Sequence, residues 1–173
     1  IENGEFLAIA GPSGSGKSTL LNLIGCIDIP SSGKIYIDDQ DTSGQTPNQL
    51  SALRARTIGF IFQTFNLFSV LSAEENIEYP LLQFKELGAA ERRERIVKFL
   101  DIVGLAEFAD HRPNQLSGGQ RQRVMVARAL LLHPKIIIAD EPVSMIDASL
   151  RATVLDTLRR LNDFLGLGGP TEG

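Results

Sequence analysis

Apolar positions along the chain fall into two patterns: short continuous runs and helical stripes. The runs are Phe6-Leu7-Ala8-Ile9-Ala10, stopping at Gly11; Ile58-Gly59-Phe60-Ile61-Phe62, stopping at Gln63; and Ile136-Ile137-Ile138-Ala139, stopping at Asp140-Glu141. Runs this short predict strands buried on both faces, over residues 5–10, 58–62 and 136–141. Lys34-Ile35-Tyr36-Ile37-Asp38 alternates polar and apolar, as a half-buried strand does. Leu20, Leu21, Leu23, Ile24 and Ile27 predict a helix over 18–27, and a short helix follows over 49–56. Residues 73–104 read as a charged helical block in which Ile96, Val97, Leu100 and Val103 share a face and Gly104 is the stop. Val124, Ala127 and Leu131 mark one face of a helix that Pro134 ends, and 150–165 reads as a last amphipathic helix. Turn residues fill 30–33, a polar loop covers 39–47, and 166–173 is a Gly/Pro-rich flexible tail.

Buried strands alternating with helices predict an α/β fold with a parallel sheet covered by helices. The middle helical block is too long for a simple crossover, so it reads as an inserted helical subdomain. Residues 1–173 are then one domain, with a core over about 1–65 and 126–165 and a helical part over about 66–125.

Composition narrows the class. The 173 residues carry 17 Lys+Arg against 21 Asp+Glu, a net charge of −4, which argues against a nucleic-acid partner. Hydrophobic residues make up 43% and charged residues 22%, which excludes a disordered chain. Cys26 is the one cysteine, so an internal disulfide and a multi-cysteine metal site are both excluded; its apolar neighbours predict a small buried hydrophobe. No apolar run approaches the roughly 20 residues of a membrane span. The polar start Ile1-Glu2-Asn3-Gly4-Glu5 is no signal peptide, and the missing initiator Met leads us to expect that the true N-terminus lies upstream.

Gly11-Pro12-Ser13-Gly14-Ser15-Gly16-Lys17-Ser18 matches the phosphate-loop pattern G-x-x-x-x-G-K-S/T between a predicted strand and a predicted helix. Glycines let successive backbone N–H groups turn toward phosphate oxygens, and the helix start adds partial positive charge. Lys17 supplies a point charge for the β- and γ-phosphates, the Ser18 hydroxyl suits Mg²⁺, and Thr19 falls by the α-phosphate. An apolar strand ending in Asp140-Glu141 is the complementary half: Asp140 would hold Mg²⁺ through water, and Glu141 would polarise an attacking water. A chance Gly/Ser linker or a pair of solvated carboxylates explains each piece alone, but not both together.

Leu116-Ser117-Gly118-Gly119-Gln120 opens a second helix of the same anion-binding type. Together with the phosphate loop, Gln63, Asp140-Glu141 and Asp147, it resembles the signature of the ATP-binding-cassette (ABC) ATPases over nearly the whole chain. The resemblance implies a P-loop NTPase core with an inserted α-helical subdomain and a small antiparallel β portion. It implies an ATPase that uses ATP and Mg²⁺, with Lys17, Gln63 and Glu141 catalytic and Ser18, Gln63 and Asp140 at the metal. Two subunits would dimerise head to tail, residues Leu116, Ser117, Gly118, Gly119 and Gln120 of one facing the other's nucleotide, with Asp147 in the dimer loop. Permease subunits on the cytoplasmic face of a membrane would be the partners.

Asn22-Leu23-Ile24-Gly25-Cys26, Phe62-Gln63-Thr64-Phe65-Asn66-Leu67, Glu75-Asn76-Ile77-Glu78 and Pro113-Asn114-Gln115-Leu116 resemble the lipoprotein-release and macrolide-export group. Residues 140–151 look more like the oligopeptide importers. The family's adenine-stacking aromatic and switch histidine fall outside this chain, so truncation at both ends is expected; a nucleotide-binding module without turnover is the rival reading. Non-transport ABC proteins fit poorly, since the chain has one cysteine, no heptad run and no second phosphate loop. His111 and His133 read as surface residues, His133 at a helix end that favours a cation. Arg92, Arg93 and Arg95 read as a salt-bridged helix face with Glu91 and Glu94.

Overall fold

The computed structural model of the chain describes residues 5, 7–62 and 64–139. Helix α1 spans Lys17–Ile24, and β1 (Tyr36–Ile37) and β2 (Gln40–Asp41) form a small antiparallel hairpin. Its two turn residues, Asp38 and Asp39, sit at φ +52° and +60°, left-handed positions that Asp tolerates and that match a tight hairpin's twist. Helix α2 (Pro47–Thr57) starts at a capping box in which the Thr46 hydroxyl accepts from the Gln49 N–H and Gln49 Oε1 accepts from the Thr46 N–H. It runs directly into β3 (Ile58–Ile61), which pairs in parallel with β4 (Ile136–Ala139), Ile58 opposite Ile136 and Ile61 opposite Ala139.

Parallel strands need a crossover, and here it is helical. Helices α3 (Ala73–Glu78), α4 (Ala89–Ile102) and α5 (Gly118–Leu130) lie between β3 and β4, with a 3₁₀ turn over Tyr79–Gln83. Ile77, Leu81, Ile96, Phe99, Leu100, Val124, Met125 and Leu130 fill one core continuous with Ile61 at the end of β3. A second core joins Cys26, Ile37, Leu50, Ile58 and Ile138, tying α1, the hairpin and α2 to the two strands. Gly59 permits the strand to meet α5 closely: a Cβ there would lie 2.6 Å from the Ala129 carbonyl oxygen and 2.9 Å from Pro134 Cγ. Charged residues of α4 link outward, Arg95 to Glu91 on the same helix, Arg93 to Glu74 and Arg92 to Glu78 on α3.

Several expectations are corrected. Residues 7–10 form no strand and are exposed, Leu7 at 54% and Ile9 at 36%. A strand is held by its ladder, and the described parallel ladder closes between β3 and β4 without this segment. Strand β4 is also less buried than its apolar run predicts, with Ile137 at 40% exposure. The block over 73–104 breaks into α3, the 3₁₀ turn and α4, because Pro80 follows Tyr79 at the helix end. On α4 it is Phe99 that turns inward with Ile96 and Leu100, while Val97 faces out at 46% exposure. Helix α1 stops at Ile24, three residues earlier than predicted, and β2 arises inside the expected loop. His133 is exposed as expected, and the partial burial of its ring lowers its pKa, helped by Arg95 and Lys98. The predicted helix over 150–165 and the tail over 166–173 lie outside the described residues.

Asn76 is a fully buried polar residue inside the helical core. Its Oδ1 accepts from the Phe68 N–H at 2.8 Å, and its Nδ2 donates to the carbonyls of Phe68, Leu71 and Ser72. Asn76→Ala strands these groups and is expected to cost about 2–3 kcal/mol in urea unfolding. Val97→Ala on the exposed side of α4 should stay within about 0.5 kcal/mol of the parent.

Candidate phosphate-binding site

The loop before α1 gets its shape from two glycines. Gly14 at φ +79° and Gly16 at φ +86° occupy left-handed backbone that side chains resist. A Cβ on Gly11 would lie 2.8 Å from Ser15 Oγ, so this position too is small for a reason. The Ser15 N–H donates to the Pro12 carbonyl at 3.2 Å and closes the turn. Lys17 folds back over it: Nζ donates to the Gly11 and Pro12 carbonyls, each at 2.8 Å, and lies 3.5 Å from Ser15 Oγ. The ammonium is thereby centred on the loop rather than extended into solvent.

Helix α1 begins differently from α2, α3 and α5. Each of those has a side-chain cap, on Thr46, Ser72 and Ser117, whereas α1 has Gly16 at its cap and no capping side chain; α4 likewise starts at an uncapped glycine, Gly88, but carries Glu91 in its first turn, where α1 has no acidic residue. The first-turn N–H groups of a helix have no partner within it, and their partial positive charge adds to that of Lys17. Ser18 and Thr19 lie exposed on that turn, their hydroxyls beside the same positive end. The arrangement can take a polyphosphate along the backbone, with a hydroxyl available to a hard cation.

The rest of the fold fixes this helix in place. At its far end Gly25 packs on the Phe60 ring so closely that a Cβ would overlap it. Phe60 in turn stacks on Phe62 with centroids 5.2 Å apart. Arg54 Nη1 on α2 donates to the Cys26 carbonyl at 2.8 Å. Cys26 is buried as predicted, and burial pushes its thiol pKa up against the opposing pull of Arg54. It is a packing residue, not a nucleophile.

Ile61 pairs with Ala139, so β3 and β4 end side by side. Gln63 and Asp140 follow these ends in the sequence; Gln63, Asp140, Glu141 and Asp147 lie outside the described residues.

The second anion-type helix start is α5. Leu116 is buried, and Ser117 caps the helix: its hydroxyl accepts from the Gln120 N–H at 3.2 Å and Gln120 Oε1 accepts from the Ser117 N–H at 2.7 Å. Gly119 is buried, but a Cβ on Gly118 would meet nothing within 4 Å. Among the described residues nothing in the packing therefore requires a glycine at 118. Among the described residues no hydrogen bond joins residues 11–19 to 116–120. A groove of about 500 Å³ lined by Asp38, Gln49, Arg56 and Lys135 includes none of these residues. No sequence motif marks Arg128. The signal for Arg128 was a cation inside an otherwise apolar stretch of α5.

A family profile described as ABC transporter matches residues 1–144. The chain is 50% identical over 167 residues to the uncharacterized ABC transporter ATP-binding protein MJ0796 of Methanocaldococcus jannaschii, covering 94% of this chain and 71% of that protein. It is 46% identical over 162 residues to the macrolide export ATP-binding/permease protein MacB of Brucella melitensis, covering 94% of this chain but 25% of that protein. A dimeric structure of MJ0796 in a post-hydrolysis state, bound to ADP and Pi, superposes with a TM-score of 0.86 at 46% identity, over 97% of this chain and 74% of that one.

The two residues that open α5 should respond oppositely to alanine in thermal or urea unfolding. Ser117→Ala removes a cap and should cost about 1 kcal/mol. Gly118→Ala, with open space and helical backbone, should leave stability unchanged or raise it by a few tenths of a kcal/mol.

Proposed function

The chain belongs to the ABC transporter family as an ATP-binding cassette of P-loop NTPase fold, and from that premise we propose that it hydrolyses ATP to ADP and phosphate to drive transport through a membrane permease. The observation that carries this is the phosphate loop: left-handed Gly14 and Gly16, an ammonium centred on the loop, and a helix start that no side chain caps. Residues Gly11 to Thr19 bind the nucleotide's phosphates, Lys17 balancing the charge on the β- and γ-groups. Ser18, an exposed hydroxyl on the first turn, would hold Mg²⁺ with Gln63 and Asp140; when bound, the ion neutralises charge on the transferred phosphoryl group. Glu141 draws a proton from a water whose oxygen forms a bond to the γ-phosphorus, while the bond to the β,γ-bridging oxygen breaks.

We also assign the second helix start to the partner's nucleotide. In a head-to-tail dimer the segment Leu116 to Gln120 faces the phosphates held by the other subunit. The open space at Gly118 supports this, because a glycine that the packing of the described residues does not require suits close approach from outside the chain. Asp147 would contact the facing phosphate loop. The division into a core over about 1–65 and 126–165 and a helical part over about 66–125 belongs to the same proposal. No helix among the described residues is long and apolar enough to cross a membrane. The family reading supplies a permease partner, fused or separate. The exposed apolar side chains Phe68, Val70, Tyr79 and Leu82 of the helical part are consistent with such a partner. The proposed location is the cytoplasmic face of the membrane, with no nucleic-acid partner.

In the intact protein Lys17→Ala should abolish ATP binding. Glu141→Gln should lower phosphate release at least about 100-fold while ATP-driven dimers persist in gel filtration. Gly118→Ala should lower turnover with no loss of stability. ATP-driven dimers without turnover in the parent would leave a binding module. Failure of Gly118→Ala to change turnover would remove the assignment across the dimer.

A further inference from the structure

Helix α5 touches the chain at both ends of its length. Its start carries Ser117. Near its other end Arg128 Nη1 donates to the Asn66 carbonyl at 2.7 Å and Nη2 lies 3.3 Å from the Phe65 carbonyl. Arg121, on the same face two turns earlier, places its guanidinium 5.0 Å from the centre of the Phe65 ring. Both arginines therefore hold the segment that begins just past Gln63. That segment is an irregular path: Asn66 sits at φ +46°, and its Oδ1 accepts from the Thr64 hydroxyl at 2.9 Å. Backbone carbonyls in such a path have no ladder partner, and a guanidinium fork can satisfy two at once where an ammonium cannot. Downstream, Leu67 packs on the helical core and Phe68 is gripped by Asn76. The helix between is stiff, with Val124, Met125, Val126, Ala127 and Leu130 at 0–1% exposure. Burial also pulls the Arg128 pKa down from its usual value, so its two carbonyl partners lie in a partly desolvated place.

We propose that Arg128 is a positioning residue for ATP turnover: its fork on the Phe65 and Asn66 carbonyls makes the segment after Gln63 and the helix opened by Ser117 move as one body. Gly118 and Arg128 are about 15 Å apart along the helix, so what docks at the α5 start is felt at Phe65 without any change inside the helix. The inference rests on the ATPase reading, because it assigns Arg128 an effect on the catalytic step. Arg128 touches no nucleotide; it acts through the path of residues 64–67. A purely packing role for the long side chain is the competing account, and an apolar side chain of similar length separates the two.

The experiment compares Arg128→Ala, Arg128→Met and Arg128→Lys in the intact protein. Turnover is measured per nucleotide-binding site counted by stoichiometric ADP binding, and amide hydrogen exchange is followed over residues 64–68. The expected result is a kcat about tenfold lower in the alanine and methionine variants, the KM for ATP within about twofold of the parent, and partial recovery with lysine. Exchange over 64–68 should speed up in the first two variants even without nucleotide. Recovery of full turnover by methionine would reduce Arg128 to packing and overturn the proposal, as would unchanged exchange. A parallel loss of ADP-binding stoichiometry and kcat would overturn it too, by showing a folding defect. An intact parent that hydrolyses no ATP sinks the ATPase reading instead; the exchange measurement then decides the clamp alone.

Discussion

The parallel pairing of β3 with β4 is the constraint on which the rest depends. Four residues on each side make the ladder, yet the two strands are separated by the whole helical block. Closing so long a loop costs entropy, and a four-residue ladder cannot offset it alone. The crossover must therefore carry its own core, and it does, in the cluster around Phe99, Met125 and Leu130. That core is anchored on the strand at Gly59, where the absence of a Cβ lets the end of α5 lie against β3. The second core fastens α1 to the other side of the same strand through Phe60 and Gly25. One short strand thus positions both helix starts.

Those two starts solve the same electrostatic problem in different ways. At α1 the cap is a left-handed glycine and the positive end is left for a ligand, reinforced by Lys17. At α5 the cap is Ser117, locked into a reciprocal pair with Gln120, and the neighbouring Gly118 keeps the approach clear. The first start carries no cap of its own, and the second is capped but has open space beside it. A nucleotide shared between two subunits accounts for both, and the dimeric MJ0796 structures at 46% identity are consistent with it.

Much of this was legible in the sequence, for physical reasons that differ by element. The phosphate loop and the Ser117 cap are local: spacing and residue type within a few positions dictate them, and the structure holds both helix starts where the sequence predicts them. The inserted helical part was legible because the block is too long for a simple crossover. Residues 7–10 were misread because an apolar run says only that a strand wants burial, not that a neighbour is there to pair with it. Val97 was misread for a related reason, since a stripe of four apolar residues leaves about one position of play around a helix. The grip of Arg128 on Phe65 and Asn66 spans more than sixty residues of chain and left only a faint trace, a cation in an apolar stretch.

The central claim is that one subunit's phosphate loop works with another's α5 start, and complementation between two defective variants tests it most directly. Lys17→Ala damages the first element and Gly118→Asp, which puts a negative charge at the second, damages the other. Each intact variant alone should be inactive. Mixed and allowed to exchange subunits, they should form dimers in which one complete site survives, the Lys17 of one variant facing the unaltered Gly118 of the other. The account predicts phosphate release from the mixture well above that of either variant alone. Dimers that form on mixing yet release no more phosphate than their parents would contradict it.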